Sequence, residues 1–142
     1  MAQASSVRAI PQKSANQKRR PVAFDSSFLL AVMERPTPWS EDITDKVGAF
    51  TPVVLSSVRD ELARLAAKRD KRGRFAALVL ELLSTGKLSL EPDGKGKPDD
   101  EIISFALREG AAVATTDSEL AERLRASRVQ TVITLRSGRV YT

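Results

Sequence analysis

Three short, largely apolar runs recur along the chain, and the first two are each followed by a segment with helical spacing. The runs cover residues 51–55, 111–115 and 131–135, and none of them alternates between polar and apolar side chains. Such continuous strands are typical of a sheet that is covered on both faces, and the intervening helices indicate parallel pairing through crossover connections. The sequence therefore predicts an α/β fold whose four- to five-stranded, mostly parallel sheet has helices on both faces.

The remaining segments complete this alternation. Further strands are predicted at 21–24 and 87–90, and residues 139–141 could add one more after the Ser137–Gly138 turn. Helices are predicted at 28–33, 40–47, 56–68, 75–83, 99–109 and 117–126, with Ser40 and one of Asp99 and Asp100 as N-caps. The 75–83 helix is apolar almost all round, so we expect it to be well buried, behind a basic hinge at 68–74.

Positive charge is concentrated at the start of the chain. The first 20 residues contain five bases and no acid, which equals the net charge of +5 of all 142 residues, so the rest is neutral. These residues have no sustained apolar period, and we interpret 1–20 as a basic disordered tail. Residues 21–142 are enough for one compact domain.

The chain contains no cysteine and no histidine. This excludes disulfides, thiolate or histidine metal sites and imidazole-based catalysis, and leaves carboxylates, hydroxyls, Lys and Arg. Oxygen-only sites favour Mg²⁺, Mn²⁺ or Ca²⁺. The longest apolar stretch, 75–83, includes Glu81 and is too short to span a membrane. We expect a cytoplasmic protein without membrane contact.

Acids from four segments of the chain are predicted at the edge where strands pass into helices. Asp25 follows the first strand, Glu61 lies one turn into the helix after the second, Asp99 and Asp100 open a helix, and Asp117 follows the 111–115 strand. Ligands of parallel sheets bind beyond the carboxyl ends of the strands, so these carboxylates should meet there. Because like charges at about 4 Å repel by about 1 to 4 kcal/mol per pair, such a cluster favours a divalent cation.

Three of these acids, Asp25, Glu61 and Asp99, also have an alternative structural role. Asp25 and Asp99 are acceptable N-caps, and Glu61 could be a first-turn acid that complements the helix dipole. Thr116 and Glu119 match a T-x-x-E capping box, which needs no chemistry, although this box does not explain Asp117.

The order and spacing of these motifs resemble the PIN-domain ribonucleases. The resemblance extends over about residues 21–141 and depends on VAFDSSFLL, VVLSSVRDELARL, KPDDEIISFAL and AAVATTDSEL. In that family, an Asp after the first strand is followed two positions on by a hydroxyl or amide residue, which corresponds here to Asp25 and Ser27. The D-x-x-I-x-x-x-A pattern corresponds to Asp99 rather than Asp100, because Ile102 and Ala106 follow Asp99 at the family spacing.

The resemblance implies an endoribonuclease that hydrolyses RNA with one or two Mg²⁺ or Mn²⁺ ions. It implies that Asp25, Asp99 and Asp117 hold metal, and that Glu61 is a further ligand or orients water. Hydrogen bonds to the ligands or the substrate are expected from Ser27, Asp100, Thr116 and Glu119. Because a carboxylate site repels RNA, the attraction is expected from bases elsewhere, namely Lys18, Arg19, Arg20, Lys95 and Lys97.

The ending VITLRSGRVYT resembles an archaeal subgroup similar to the ribosomal-RNA-processing endonuclease of the small-subunit processome. This implies ribosomal RNA or its precursor as the partner. Alternatives are a toxin-type ribonuclease with an antitoxin partner and a non-catalytic RNA-binding scaffold. A receiver-like signalling domain is disfavoured, because Leu135-Arg-Ser stands where its lysine should follow the last strand. The 75–83 helix could instead face a second subunit in a homodimer.

Overall fold

The computed structural model of the protein describes residues 19–94 and 96–142, which form an α/β domain. Its strands are β1 Arg20–Phe24, β2 Phe50–Leu55, β3 Ser89–Glu91, β4 Ala112–Ala114, β5 Val132–Arg136 and β6 Arg139–Tyr141. Its helices are α1 Ser26–Glu34, α2 Trp39–Val47, α3 Ser56–Ala66, α4 Lys71–Ser84, α5 Pro98–Glu109 and α6 Ser118–Ala126.

The strands form one sheet in the order β3-β2-β1-β4-β5-β6. The first five are parallel and β6 is antiparallel to β5. This confirms the predicted fold class, although the described sheet has six strands instead of four or five. The sixth strand depends on a two-residue turn, in which Ser137 and Gly138 have φ values of +51° and +77°. Such left-handed turn residues match the twist of a tight hairpin.

The central strands are buried on both faces, as their continuous apolar sequences predict. Residues 22–24 of β1 and 112–114 of β4 are at most 1% exposed. Phe24 lies in an aromatic cluster, with ring centroids 5.5 Å from Phe28 and 5.4 Å from Trp39. This core holds the carboxyl ends of β1 and β4 rigidly side by side, which matters for the site that follows them.

The prediction for the 75–83 helix is wrong in two respects. The helix α4 begins earlier, at Lys71, because Asp70 caps it by accepting a hydrogen bond from Gly73 N at 2.7 Å. The predicted hinge is therefore partly helical. The helix is also only half buried, because it packs on α1 and α3 and Leu78 is 47% exposed. Apolar composition alone did not reveal that one of its faces has no neighbour among the described residues.

Two predicted N-caps lie inside their helices. The helix α2 begins at Trp39 and α5 begins at Pro98, so Ser40 and Asp99 both belong to a first turn. Pro98 suits the first position of α5, because an N–H there would have no partner within the helix and proline has none. Asp99 and Asp100 consequently stand on the first turn of α5, where acids complement the helix dipole.

The predicted tail lies largely outside the described residues, which begin at Arg19. The first strand starts at Arg20, one residue before the predicted domain boundary. Arg19 donates a hydrogen bond to Phe50 O at 2.6 Å, and Arg20 donates to Thr131 Oγ1 at 2.9 Å. These two residues therefore belong to the folded domain. None of the helices within 19–94 and 96–142 has the length and hydropathy of a membrane span.

Candidate active site

The predicted acids come from four segments that meet at one edge of the sheet. Asp25 directly follows β1, and Glu61 lies on α3, which starts immediately after β2. Asp117 follows β4 after two residues, and Asp99 arrives on α5. Because β1, β2 and β4 are parallel neighbours, their carboxyl ends lie together. The topology therefore places the four carboxylates at one edge.

Asp25 is the buried member of this group, with 5% of its surface exposed. Its Oδ2 accepts hydrogen bonds from Ser27 Oγ at 2.6 Å and from Thr115 Oγ1 at 2.8 Å. Asp25 occupies the N-cap position of α1, but its side chain makes no capping hydrogen bond there. The structural alternative of a helix cap is therefore not realised, and the carboxylate is held by hydroxyls instead.

Asp117 is linked to Asp25 through the same threonine. The backbone N of Asp117 donates to Thr115 Oγ1 at 3.0 Å. Its Oδ1 accepts from Glu119 N at 2.9 Å and Leu120 N at 3.4 Å, so Asp117 caps α6. The alternative capping box, with Thr116 as the cap, is wrong. Among the described residues, no donor is bonded to Asp117 Oδ2, which leaves that oxygen available.

Glu61 is held by a residue that no sequence motif indicated. Its Oε1 accepts a hydrogen bond from Ser26 Oγ at 2.8 Å, and Ser26 is 6% exposed. This contact joins the start of α1 to α3 across 35 positions of sequence. Ser26 lies between Asp25 and Ser27, so its proximity to the motif was the only available signal.

Asp93 is a second residue that the sequence motifs did not indicate. The N-cap position of α3 is Leu55, which has no capping side chain. Asp93 supplies the missing acceptor from another loop, with Oδ2 bonded to Ser57 Oγ at 2.6 Å and to Ser57 N at 3.1 Å. Its Oδ1 accepts from Ser56 Oγ at 3.0 Å. Two serines at a helix start without an acidic cap were the signal for such an acceptor.

The pKa of Asp99 depends on the charges of the other three acids. Burial raises the pKa of Asp99, and the charges of Asp25 and Asp117 raise this pKa further. Arg123 acts in the opposite direction, while Glu61 again raises the pKa. Four carboxylates thus share one electrostatic environment with an excess of negative charge.

Asp100 is separated from this group by its partner. Its Oδ1 accepts a hydrogen bond from Arg123 Nη2 at 2.7 Å, in an exposed ion pair that joins α5 to α6. Asp99 has no such ion pair among the described residues. Of the two adjacent acids, Asp99 is the one whose pKa is raised by the charges of the other three acids.

The donor set suits a hard divalent cation in type and in charge, because it consists of carboxylates and hydroxyls with an excess of negative charge. The side chains do not already form a complete cage. Within 19–94 and 96–142, no three acids converge closely enough to hold an ion directly. Asp25 Oδ2 and Asp117 Oδ1 are occupied by hydrogen bonds, so each carboxylate would offer its other oxygen.

The predicted RNA-binding bases are mostly elsewhere. Arg19 and Arg20 lie at the amino end of β1, which is the opposite edge of the sheet from the acids. Lys97 is exposed and directly precedes α5, close to Asp99 in the chain. Lys18 and Lys95 lie outside the described residues. Of the described predictions, only Lys97 is next to the cluster.

A family model described as "PIN like domain" matches residues 22–138 of this chain. The chain belongs to the PIN-like domain family. It is 29% identical over 112 residues to Ribonuclease VapC4 of Methanocaldococcus jannaschii, an alignment that covers 77% of this chain and 86% of that protein. The predicted resemblance to PIN-domain ribonucleases is therefore confirmed.

Solved structures of the same fold extend this similarity. The PIN domain endonuclease Utp24 superposes with a TM-score of 0.68 at 18% identity, over 84% of this chain and 88% of that one. A domain of a functionally unknown protein from Methanocaldococcus jannaschii superposes with a TM-score of 0.56 at 16% identity, over 87% and 96%. At these identities the superpositions establish the fold.

Proposed function

We propose that this PIN-domain protein is a metal-dependent endoribonuclease that hydrolyses RNA phosphodiester bonds at Asp25, Glu61, Asp99 and Asp117. The observation that carries the proposal is the position of these acids at the carboxyl ends of neighbouring parallel strands, where Thr115 joins Asp25 to Asp117. The charges of Asp25, Asp117 and Glu61 also raise the pKa of Asp99. A cluster of this charge needs a cation to offset its repulsion. The sequence similarity to a ribonuclease supports RNA as the substrate.

The residues of the candidate site have two proposed roles, which are to bind the metal ions and to orient the carboxylates. Asp25, Asp99 and Asp117 would hold one or two Mg²⁺ or Mn²⁺ ions, directly or through water. A bound ion of this kind supplies an acidified water and stabilises negative charge on the phosphate. Ser27 and Thr115 fix Asp25, and Ser26 fixes Glu61, which is thereby oriented to bind metal or to accept a proton from water.

The exposed residues around the cluster are proposed to contact substrate. Thr116 and Glu119 are exposed at the start of α6, and Lys97 is exposed at the start of α5. Asp100 restrains Arg123, which is the cation that acts on Asp99. The proposal keeps the cytoplasmic location expected from the sequence.

The decisive experiment compares cleavage of a structured RNA with Mn²⁺ or Mg²⁺, with and without a chelator, by wild type, Asp25→Asn and Asp117→Asn. Asp45→Asn, on the exposed side of α2, is the matched control because it removes one carboxylate outside the cluster. We expect chelator-sensitive cleavage that both cluster variants lose and the control retains. Wild-type protein that binds RNA without cleaving it in either metal would instead indicate the non-catalytic scaffold.

Metal binding can be tested apart from activity. A ligand bound only by the folded state stabilises it by about 2.7 kcal/mol when its concentration is 100 times Kd. We therefore expect Mn²⁺ to raise the melting temperature of the wild type. The rise should be smaller in the variant that combines Asp25→Asn with Asp117→Asn. An unchanged melting temperature at saturating Mn²⁺ would contradict a shared cation site.

For the target, we propose ribosomal RNA or its precursor, from the resemblance of the C-terminal segment that forms β5 and β6. A toxin-type ribonuclease with an antitoxin partner is the second candidate, favoured by the similarity to a VapC ribonuclease. Mapped cleavage at defined positions of precursor ribosomal RNA would support the first. Growth arrest on expression, relieved by the product of a neighbouring gene, would support the second.

A homodimer through exposed Leu78 is testable by light scattering.

A further inference from the structure

A groove between α6 and β5 opens beside the candidate active site. Its volume is about 320 Å³, and its wall at one end is formed by Thr116 and Asp117. Ala121 and Leu135 give it an apolar floor. The groove is therefore continuous with the carboxylate cluster through Asp117, although the roles proposed above for the cluster do not use it.

Two arginines line the same groove. Arg125 stands on α6 and Arg136 ends β5, and both are exposed. In the described part of the chain, neither of them forms an ion pair. The guanidinium carbon of Arg136 lies 4.6 Å from the ring centroid of Tyr141, which holds this side chain against β6. The groove thus presents two guanidinium groups whose charges are not offset by a bonded acid.

We propose that this groove binds the phosphate backbone of the RNA strand on one side of the bond to be cleaved. The inference rests on the proposed ribonuclease function. Arginine is well suited to phosphate, because its planar group donates paired hydrogen bonds and is weakly hydrated. Residues 21–142 are neutral overall, so a strand that reaches the acidic cluster needs local positive charge next to it. Arg125 and Arg136 supply it, and the apolar floor contacts the sugar or the base.

Glu122 lines the same groove and carries the opposite charge, so it allows the direction of the effect on RNA affinity to be tested. Its carboxylate opposes phosphate binding and offsets part of the charge of the two arginines. Removal of this acid should therefore have the opposite effect from removal of either arginine. A general loss of stability could not produce effects of opposite sign within one groove.

The experiment measures binding separately from cleavage. Fluorescence anisotropy of a labelled single-stranded RNA is followed in chelator with full-length wild type, Arg125→Gln, Arg136→Gln, their double variant and Glu122→Gln. The control is Arg74→Gln, because Arg74 is exposed on α4, which packs on α1 and α3 and carries none of the proposed site residues. Cleavage by the same proteins is measured in Mn²⁺, and folding is checked by melting temperature.

We expect each groove arginine variant to bind RNA more weakly and to lower the slope of log affinity against log salt by about 0.7, which is the contribution of one single-strand phosphate. Glu122→Gln should bind RNA more tightly than the wild type does, and Arg74→Gln should have the same RNA affinity as the wild type. Equal RNA affinity in wild type and the folded double variant would overturn the inference even if cleavage persists. Weaker RNA binding by the arginine variants, with no cleavage by wild type in Mn²⁺, would support the groove and refute the nuclease.

Discussion

Thr115 is the residue that joins the buried Asp25 to the exposed Asp117. It is fully buried, it donates to Asp25 Oδ2 at 2.8 Å, and its hydroxyl oxygen accepts from Asp117 N at 3.0 Å. The same hydroxyl lies 3.2 Å from Ser27 Oγ. A single side chain thus fixes the positions of two proposed metal ligands, and it does so at the end of the most buried part of the sheet.

Thr115→Val should therefore destabilise the protein. The change keeps the shape but leaves Asp25 with one donor fewer and Asp117 N without its acceptor, which costs about 1–3 kcal/mol for buried groups. Urea unfolding would measure this decrease in stability. Thr44→Val is the control, because the Thr44 hydroxyl bonds only to a carbonyl of its own exposed helix. Equal stability of the two variants would contradict the role given to Thr115.

Asp99 lowers the stability of the metal-free protein at neutral pH. Its pKa is raised in the folded state by burial and by the neighbouring carboxylates. A raised pKa means that the folded state binds the proton more tightly than the unfolded state does. Protonated Asp99 therefore contributes to stability at a pH below its pKa in the unfolded state, which is about 3.9. This contribution is lost as the pH rises through the pKa of Asp99 in the folded state.

Asp99→Asn should consequently raise the melting temperature in chelator at pH 7. The gain over wild type should shrink as the pH falls towards about 4, because protonation then neutralises Asp99 in the wild type as well. Thermal unfolding at neutral pH and at about pH 4.5 measures both points, with Asp45→Asn as the exposed control. A gain that does not change with pH would show that the effect is not electrostatic.

At the scale of elements, the start of α3 depends on a loop that is far away in sequence. Asp93 caps α3 through Ser56 and Ser57, and it lies 36 positions from Ser57. The next residues of the loop fold onto α5, since Gly94 N and Gly96 N donate to the two carboxylate oxygens of Glu101 at 2.8 and 3.2 Å. One loop thus connects the helix that carries Glu61 with the helix that carries Asp99.

Asp93→Ala should lower the free energy of unfolding by about 1–2 kcal/mol, the usual effect of removing a helix cap. It should also reduce cleavage, because α3 positions Glu61. Asp60→Ala is the matched control, since Asp60 lies on the same helix but is exposed and paired only with its neighbour Arg59. Chemical unfolding and the RNA assay measure the two effects. A fully active Asp93→Ala protein would show that this loop does not affect the candidate site.

At the scale of the molecule, we expect the proposed RNA binding to depend on two separate regions of positive charge. The bases of residues 1–18 are Arg8, Lys13 and Lys18, whereas Arg19 and Arg20 are bonded to the folded domain. The proposed groove lies at the opposite edge of the sheet from these two arginines. Salt should therefore weaken RNA binding through both regions independently.

Deletion of residues 1–18 should weaken RNA binding and lower its salt slope, by about 0.7 for each phosphate that the protein no longer binds, without a change in melting temperature. Deletion of residues 1–20 should in addition lower the melting temperature, because it removes the hydrogen bonds of Arg19 to Phe50 O and of Arg20 to Thr131 Oγ1. Anisotropy and thermal unfolding of both truncations test this. If the shorter deletion were the destabilising one, the boundary at Arg19 would be wrong.

Local patterns in the sequence determined the fold class and the order of the elements. Continuous apolar runs mark buried parallel strands because both of their faces must be covered, and this holds for residues 53–55 and 112–114. The same order placed Asp25, Glu61, Asp99 and Asp117 after strand ends, which a parallel sheet brings to one edge. These predictions depend only on neighbours in the chain, so the sequence sufficed for them.

Only the tertiary structure decided the contacts between distant segments. The pairs Asp93 with Ser57 and Ser26 with Glu61 join residues 36 and 35 positions apart. The bond between Arg123 and Asp100 separates Asp100 from Asp99, a distinction that the sequence supported only through the spacing of Ile102 and Ala106. Such pairs depend on how crossover connections bring helices together, and on which faces remain exposed, as Leu78 shows. No local periodicity carries that information, because the partners are determined by packing and not by spacing along the chain.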